Sequence, residues 1–237
     1  MSGDDAFHPV MRQDWRDLLF LHWQVDPAAL ARLVPAPLEL DTHHGTAWVG
    51  LVPFRVEGLR PPLLPPLPGL SRFGEVNVRT YVRFRGSERG VWFFSLDADS
   101  RLAVAGARLL YQLPYHAAEI EMERVGDTVA FSARRRDRPG RCVCRWRIAA
   151  EEPSPAVSGS LDEFLVERYA LFAAADGAIY RARVAHQPYP LLGAELLALD
   201  QDLLHQAGVE AQGPPSRVVF SPGVDTRVSR PERVFSA

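Results

Sequence analysis

Along EVNVRTYVRF, Glu75, Asn77, Arg79, Tyr81 and Arg83 alternate at period two with Val76, Val78, Thr80, Val82 and Phe84. A strand with this pattern carries a carboxylate, an amide and a guanidinium on one face. Turned to solvent, that face is an ordinary polar surface. Turned into a barrel, it lines a pocket, and its groups are costly to bury without mutual pairing or a ligand. Period two leaves both orientations open. Tyr115 and His116, after Pro114, are the second candidates. A neutral imidazole with a pKa of about 6.5 serves as a general base, and a phenol donates to a carbonyl or phenolate oxygen. Adjacent strand residues point to opposite faces, so only one of the two enters a given cavity. The alternative is a core or rim aromatic at Tyr115 and a surface residue at His116.

All 27 basic residues are arginine and none is lysine. The chain therefore forms no imine through a side-chain amine, anchors no pyridoxal phosphate and offers no P-loop lysine. On a solvated surface arginine serves as well, so drift in composition explains the bias without removing its consequence. Net charge is −2 with no basic stripe, which argues against a nucleic-acid partner. Arg134, Arg135 and Arg136 read as a solvated strand end. Cys142 and Cys144 are too few for a disulfide framework or a structural zinc site, and a reduced, cytoplasmic setting is expected. The start MSGDDAFHPV has no positive or apolar signal region, and no apolar run approaches 18 residues, so neither secretion nor a membrane span is expected. His43 and His44 sit in a turn, where with Asp41 they could hold an adventitious metal; a solvated turn and no metal is the expectation. His22 beside Trp23 reads as a hydrogen-bonded core residue. G-x-S-x-G, G-x-G-x-x-G and H-E-x-x-H do not occur.

The elements that must position these residues are mostly strands. LLFLHWQV reads as a strand, and Asp26-Pro27 opens a helix that stops before Pro35. Leu38 to Asp41 and Ala47 to Val56 flank THHGT and predict a hairpin. The proline-rich GLRPPLLPPLPGLSRFG predicts a stiff extended loop, whose leucines suggest an apolar neighbour. VWFFSLDAD predicts a central strand and RLAVAGARLLYQ a helix. HAAEIEMERV, DTVAFSARRR and RCVCRWRIA predict a three-strand meander. Ser160 with Glu163 marks a capping box for LDEFLVERYA. AIYRARVAHQPYP and LLGAELLAL read as strands, DQDLLHQAG as a short helix and SRVVFSPGVDTRV as a last strand. One α+β domain of 237 residues, mainly antiparallel β, is expected.

From MRQDWRDLLFLHWQVDPAALARLVP through FGEVNVRTYV and GVWFFSLDA to FSPGVDTRV, nearly the whole chain resembles the YqjF-like family of uncharacterised proteins. His186 before Gln187-Pro188-Tyr189 resembles a further motif of that family. The resemblance implies the fold of the acetoacetate decarboxylase-like superfamily, an antiparallel β-cone or barrel with a ligand cavity. In acetoacetate decarboxylase a Gly-Arg-Glu helix leads into Phe-Pro-Lys-Lys, whose first lysine forms the imine while the second depresses its pKa. Aligned on Pro114, that pattern puts Tyr115 and His116 at the lysines, Leu113 at the Phe, Arg108 at the Arg, and Ala107 and Leu109 at the Gly and Glu. Imine-forming decarboxylation is thereby excluded. Glu75 resembles the acidic residue this superfamily directs into its cavity. The resemblance implies Tyr115 and Glu75 as the reacting groups and His116 and Arg108 as ligand-binding residues, to which the alternating strand adds Arg79 and Asn77.

The expected function is binding of a small carbonyl-bearing or aromatic molecule, without a cofactor, nucleic acid or membrane. A lysine-independent enzyme using Tyr115, Glu75 and Arg79, or a structural protein with a filled cavity, are the alternatives. Exposed sheet edges in such folds often pair between subunits, which leaves a homodimer open.

Overall fold

The computed structural model describes residues 7–66 and 71–236. In chain order these form β1 (Pro9–Val25), α1 (Pro27–Ala31), β2 (Leu38–Leu40), β3 (Ala47–Arg60), β4 (Arg72–Phe84), β5 (Glu88–Ala98), α2 (Arg101–Tyr111) and β6 (Tyr115–Val125). There follow β7 (Thr128–Arg135), β8 (Arg141–Ile148), α3 (Leu161–Val166), β9 (Ala170–Ala175), β10 (Ala178–Ala185), β11 (Leu192–Gln201), α4 (Leu203–Gln206), β12 (Arg217–Ser229) and β13 (Glu232–Ser236). No helix among them is long and apolar enough to cross a membrane.

Hydrogen-bonded neighbours trace two closed circuits. From β5 the pairing runs through β6, β7, β8, β11, β12, β1, β3 and β4 back to β5, a barrel of nine strands. It also runs from β5 through β9, β10, β12, β1, β3 and β4 back to β5, a ring of seven. The circuits share β12, β1, β3, β4 and β5 as a common wall. Pairing is antiparallel except where β5 meets β6 and β9.

A wall between two chambers has no solvated face, and its sequences show this. Leu18 to Trp23 of β1 are all buried, as the unbroken LLFLHW run requires. On the nine-strand side, Leu19, Leu21, Val76 and Val78 pack with Phe131, Cys142, Cys144 and Trp146. On the seven-strand side, Phe20, Phe54, Tyr81 and Phe93 pack with Phe164 and Val184.

The meander, the helix over RLAVAGARLLYQ and the short helix ending at Gly208 form as expected. Several other expectations are corrected. Leu38–Leu40 pairs with β4 rather than with Ala47 to Val56, leaving only a His43–Thr46 bridge in THHGT. The helix at LDEFLVERYA stops at Val166: Arg168 is drawn to Asp41, and Ala170–Ala175 joins β5 and β10 as an unforeseen strand. Tertiary pairing thus overrides local helix propensity. The last strand is β13, which pairs with β10. Within the capping box Ser160 Oγ accepts from Glu163 N, while the Glu163 carboxylate turns back to Gly159 N. In the proline-rich segment Leu59 packs against the core as expected, whereas Leu63 and Leu64 are 98% and 55% exposed; residues 67–70 of that segment lie outside the described residues. Arg135 is no solvated strand end, because its guanidinium is buried on Asp97 with Nε 2.8 and 3.0 Å from the two carboxylate oxygens.

Candidate functional site

The polar face of β4 points into the seven-strand chamber. Glu75, Asn77 and Arg79 are 4%, 4% and 8% exposed, while Val76 and Val78 point through the wall into the other chamber. The strand keeps its period of two with both sides buried, so its polar side chains have little contact with bulk water.

Helix α2 delivers Tyr115 to this face. Gln112 ends the helix in the left-handed region at φ 56°, Leu113 is buried, and Pro114 accepts from Leu96 N at 3.1 Å. Tyr115 then opens β6 in parallel register with Leu96, and Arg108 Nε donates to its carbonyl at 2.7 Å. Its hydroxyl reaches back across β5 and donates to Glu75 Oε2 at 2.8 Å. Burial pushes the Glu75 carboxyl up to about 8, against the opposing pull of the Tyr115 hydroxyl and the Asn77 amide. Glu75 is therefore protonated at neutral pH. Burial also raises the Tyr115 phenol, so both groups keep their protons. Asn77 Oδ1 is buried without a donor.

Arg79 lies beyond Asn77 on the same face. One Nη donates to the Leu165 carbonyl at 3.1 Å, and the guanidinium stands over Phe20 at 5.4 Å and Tyr81 at 5.9 Å. Its Nε has no partner, and no ion pair to it is found among the described residues. A guanidinium does not shed its proton in a protein. Its position is fixed from behind: Tyr81 also donates to the Leu165 carbonyl, at 2.8 Å, and His22 Nε2 lies 2.6 Å from the Tyr81 oxygen. Because the tyrosine proton goes to Leu165, His22 must donate from Nε2. Burial holds the His22 pKa well below its ordinary value, which keeps that neutral tautomer. Gly50 makes room for the contact, since a Cβ there would lie 3.1 Å from the His22 ring.

Glu75, Asn77, Arg79 and Tyr115 border a cavity of about 480 Å³. Most of its wall is apolar, including Trp15, Phe54, Phe93, Leu113 and Val184. Along one side α2 contributes Leu102, Gly106 and Leu110, and Leu102 and Leu110 are also 71% and 62% exposed.

Of the six residues expected at the site, Glu75, Asn77, Arg79 and Tyr115 converge on the cavity. His116 and Arg108 do not line it. His116 pairs in register with Asp97 on the far side of the strand, where burial and the nearby Arg135 lower it to about 4. Arg108 is exposed and acts through the backbone of Tyr115. Sequence reasoning missed Arg168, which reaches the cavity wall and pairs with Asp41 at 2.7 Å. Arg83 and Arg89 bind the same carboxylate at 2.7 and 2.9 Å, so Asp41 serves three guanidiniums. Trp15 and Tyr189 of the wall were also missed; being aromatic, they carried no signal that separates cavity lining from core. Cys142 and Cys144 are free thiols buried in the other chamber.

A sequence model of the family DUF2071, an uncharacterized conserved protein, matches residues 12–225. Uncharacterized protein YqjF of Bacillus subtilis is 43% identical over 187 residues, 78% of this chain and 76% of that protein. Among solved structures, acetoacetate decarboxylase from Legionella pneumophila superposes with a TM-score of 0.69 at 16% identity, over 97% of this chain and 88% of that one. The enduracididine biosynthesis enzyme MppR complexed with pyruvate gives 0.67 at 14% identity, over 99% and 94%. An acetoacetate decarboxylase-like enzyme from Sphingomonas wittichii gives 0.64 at 14%, over 97% and 95%. At these identities the likeness establishes an acetoacetate decarboxylase-like fold, and function must be argued from the site.

Proposed function

The chain belongs to the DUF2071 family of uncharacterized conserved proteins, and from that premise and the chamber's geometry we propose that it binds a small carbonyl-bearing or aromatic molecule without forming an imine. The observation that carries this reading is the Glu75–Tyr115 pair inside an open cavity. Tyr115 spends its proton on Glu75 Oε2, so the protonated carboxyl has its own O–H left to donate to a ligand oxygen. The apolar wall takes the rest of the molecule. MppR, of the same fold, holds pyruvate in one structure and a condensation product of pyruvate and imidazole 4-carboxaldehyde in another. In the present chain hydrogen bonds must do the holding, since it contains no lysine. An unfilled cavity of this size speaks against the structural reading, in which the protein's own side chains would occupy it. A cytoplasmic location fits the two free buried thiols.

The Glu75 carboxyl also favours a second reading, a lysine-independent enzyme. A carboxyl that titrates at about 8 both gives and takes a proton near neutral pH, which suits proton transfer next to a ligand carbonyl.

Native mass spectrometry of the purified protein, then a thermal-shift screen of keto acids, β-diketones and aromatic aldehydes, tests the binding reading. Wild type should be stabilised by at least one compound, and Tyr115→Phe should lose most of that shift. No shift from any compound, with the two proteins alike, would retire Tyr115 and the binding reading together. Solvent-deuterium exchange at the α-carbon of a stabilising ligand, followed by NMR, separates the enzyme from the carrier.

A further inference from the structure

Arg79 is a buried cation in want of an anion. It lines the cavity at 8% exposure, its Nε has no partner, and it makes no ion pair among the described residues. Of the other two arginines that line the cavity, Arg168 is answered by Asp41 at 2.7 Å, and Arg60, at the partly exposed end of β3, lies 4.0 Å from Asp14. The carboxyl nearest along the strand, Glu75, offers no countercharge while it is protonated and engaged by Tyr115. Leaving a charge in an apolar chamber is unfavourable, and a bound carboxylate relieves it with charge-assisted hydrogen bonds.

The chamber is also too large for a minimal acid. At roughly 30 Å³ per water-sized group, 480 Å³ accommodates on the order of sixteen such groups. A keto acid such as pyruvate, with about six non-hydrogen atoms, fills well under half of that. The remaining wall is apolar and continues to Leu102 and Leu110 of α2, which stand partly in solvent. Gly106 lies between them on the same helix and borders the cavity, and a Cβ placed there would meet no atom within 4 Å. An apolar path thus leads from Arg79 to an unobstructed stretch of α2.

We infer that the ligand is an amphiphilic monocarboxylate, its acid group seated on Arg79 and its aliphatic or aromatic body filling the chamber toward α2. The inference rests on the binding reading above and narrows its ligand class. It assigns Arg79 to the acid group and leaves the Glu75–Tyr115 pair for a second oxygen when the ligand has one.

The test is calorimetric titration of wild type, Arg79→Met and Gly106→Trp with linear carboxylates from acetate to decanoate and with methyl ketones of matched length. Arg79→Met removes an unanswered buried charge, and Gly106→Trp enters open space on a helix, so each variant is expected to fold. In wild type, affinity for the acids should rise about fourfold per methylene. Each acid should exceed its ketone by about ten- to a hundredfold. Arg79→Met should erase the advantage of acid over ketone, and Gly106→Trp should abolish binding of the long members of both series. Equal affinity for acids and ketones in wild type, with Gly106→Trp still blocking both, would overturn the carboxylate assignment and leave the cavity reading standing. Binding that is strongest for acetate, with no gain along the series, would overturn the apolar body. No binding of any member to wild type would overturn this inference; the cavity reading falls as well only if the thermal-shift screen is also empty.

Discussion

Two chambers share one wall in this molecule, and they solve the problem of a buried interior differently. Behind Val76 and Val78, the nine-strand side is closed by Phe131, Cys142, Cys144 and Trp146. Behind Glu75, Asn77 and Arg79, the seven-strand side keeps about 480 Å³ unfilled and carries a protonated carboxyl and an unanswered guanidinium. Adjacent residues of one strand, β4, thus face opposite regimes. Close packing rewards the first side with stability, whereas the second holds polar groups whose burial opposes folding. On the proposed binding reading, the filled chamber supplies the packing and the open one presents the wall to a ligand.

Substitutions on the two sides should therefore behave differently. The largest effect is expected at Trp146, where Trp146→Ala should cost about 3–5 kcal/mol, read as a lower urea midpoint, while any ligand-induced thermal shift persists. Phe93→Ala, whose ring already borders empty space, should cost less. If Phe93→Ala proved the more damaging, the assignment of filled and open chambers would be reversed.

Next in size is Glu75→Gln. Burial raises the folded-state carboxyl from 4.5 to about 8. Between those values the unfolded chain releases a proton that the folded chain keeps, so wild type loses stability as pH rises through this window. Glu75→Gln lacks that loss and should be more stable than wild type by a few kcal/mol near pH 9, on a scale of roughly 1.4 kcal/mol per pKa unit. The two proteins should converge below about pH 4.5, where both chain states are protonated at this position. Denaturant melts at pH 5, 7 and 9 measure this; parallel curves for the two proteins would mean that Glu75 is ionised in the fold.

The smallest effect sharpens the picture of α2. Gly106→Ala should stabilise by about 0.5–1 kcal/mol, because alanine suits a helix interior and its Cβ meets no neighbour. A loss instead would mean that α2 sits closer over the cavity.

Much of the scaffold was legible because its signals are local. The meander with its turns, the helix over RLAVAGARLLYQ and its stop before Pro114 follow from periodicity and from proline chemistry. Where the sequence misled, a distant partner had decided. Leu38–Leu40 lies beside THHGT yet pairs with β4, and Ala170–Ala175, starting at the last residue of the expected helix, joins β5 and β10 as a strand. The site divides in the same way. Glu75, Asn77, Arg79 and Tyr115 were nameable from alternation and from the Pro114 alignment, whereas Arg168 was invisible because nothing local ties it to Asp41, 127 positions away.

Composition by itself determined that no lysine imine forms anywhere on this chain, since the required amine is absent. Period two by itself determined that Glu75, Asn77 and Arg79 share a face. Which way that face turns was decided only by the closure of two circuits around β4, because an alternating strand has the same sequence whichever side is called inside. Closure also set the meaning of the charges. A guanidinium on a solvated sheet is answered by water, whereas the same group turned into a mostly apolar chamber has an Nε with no partner among the described residues.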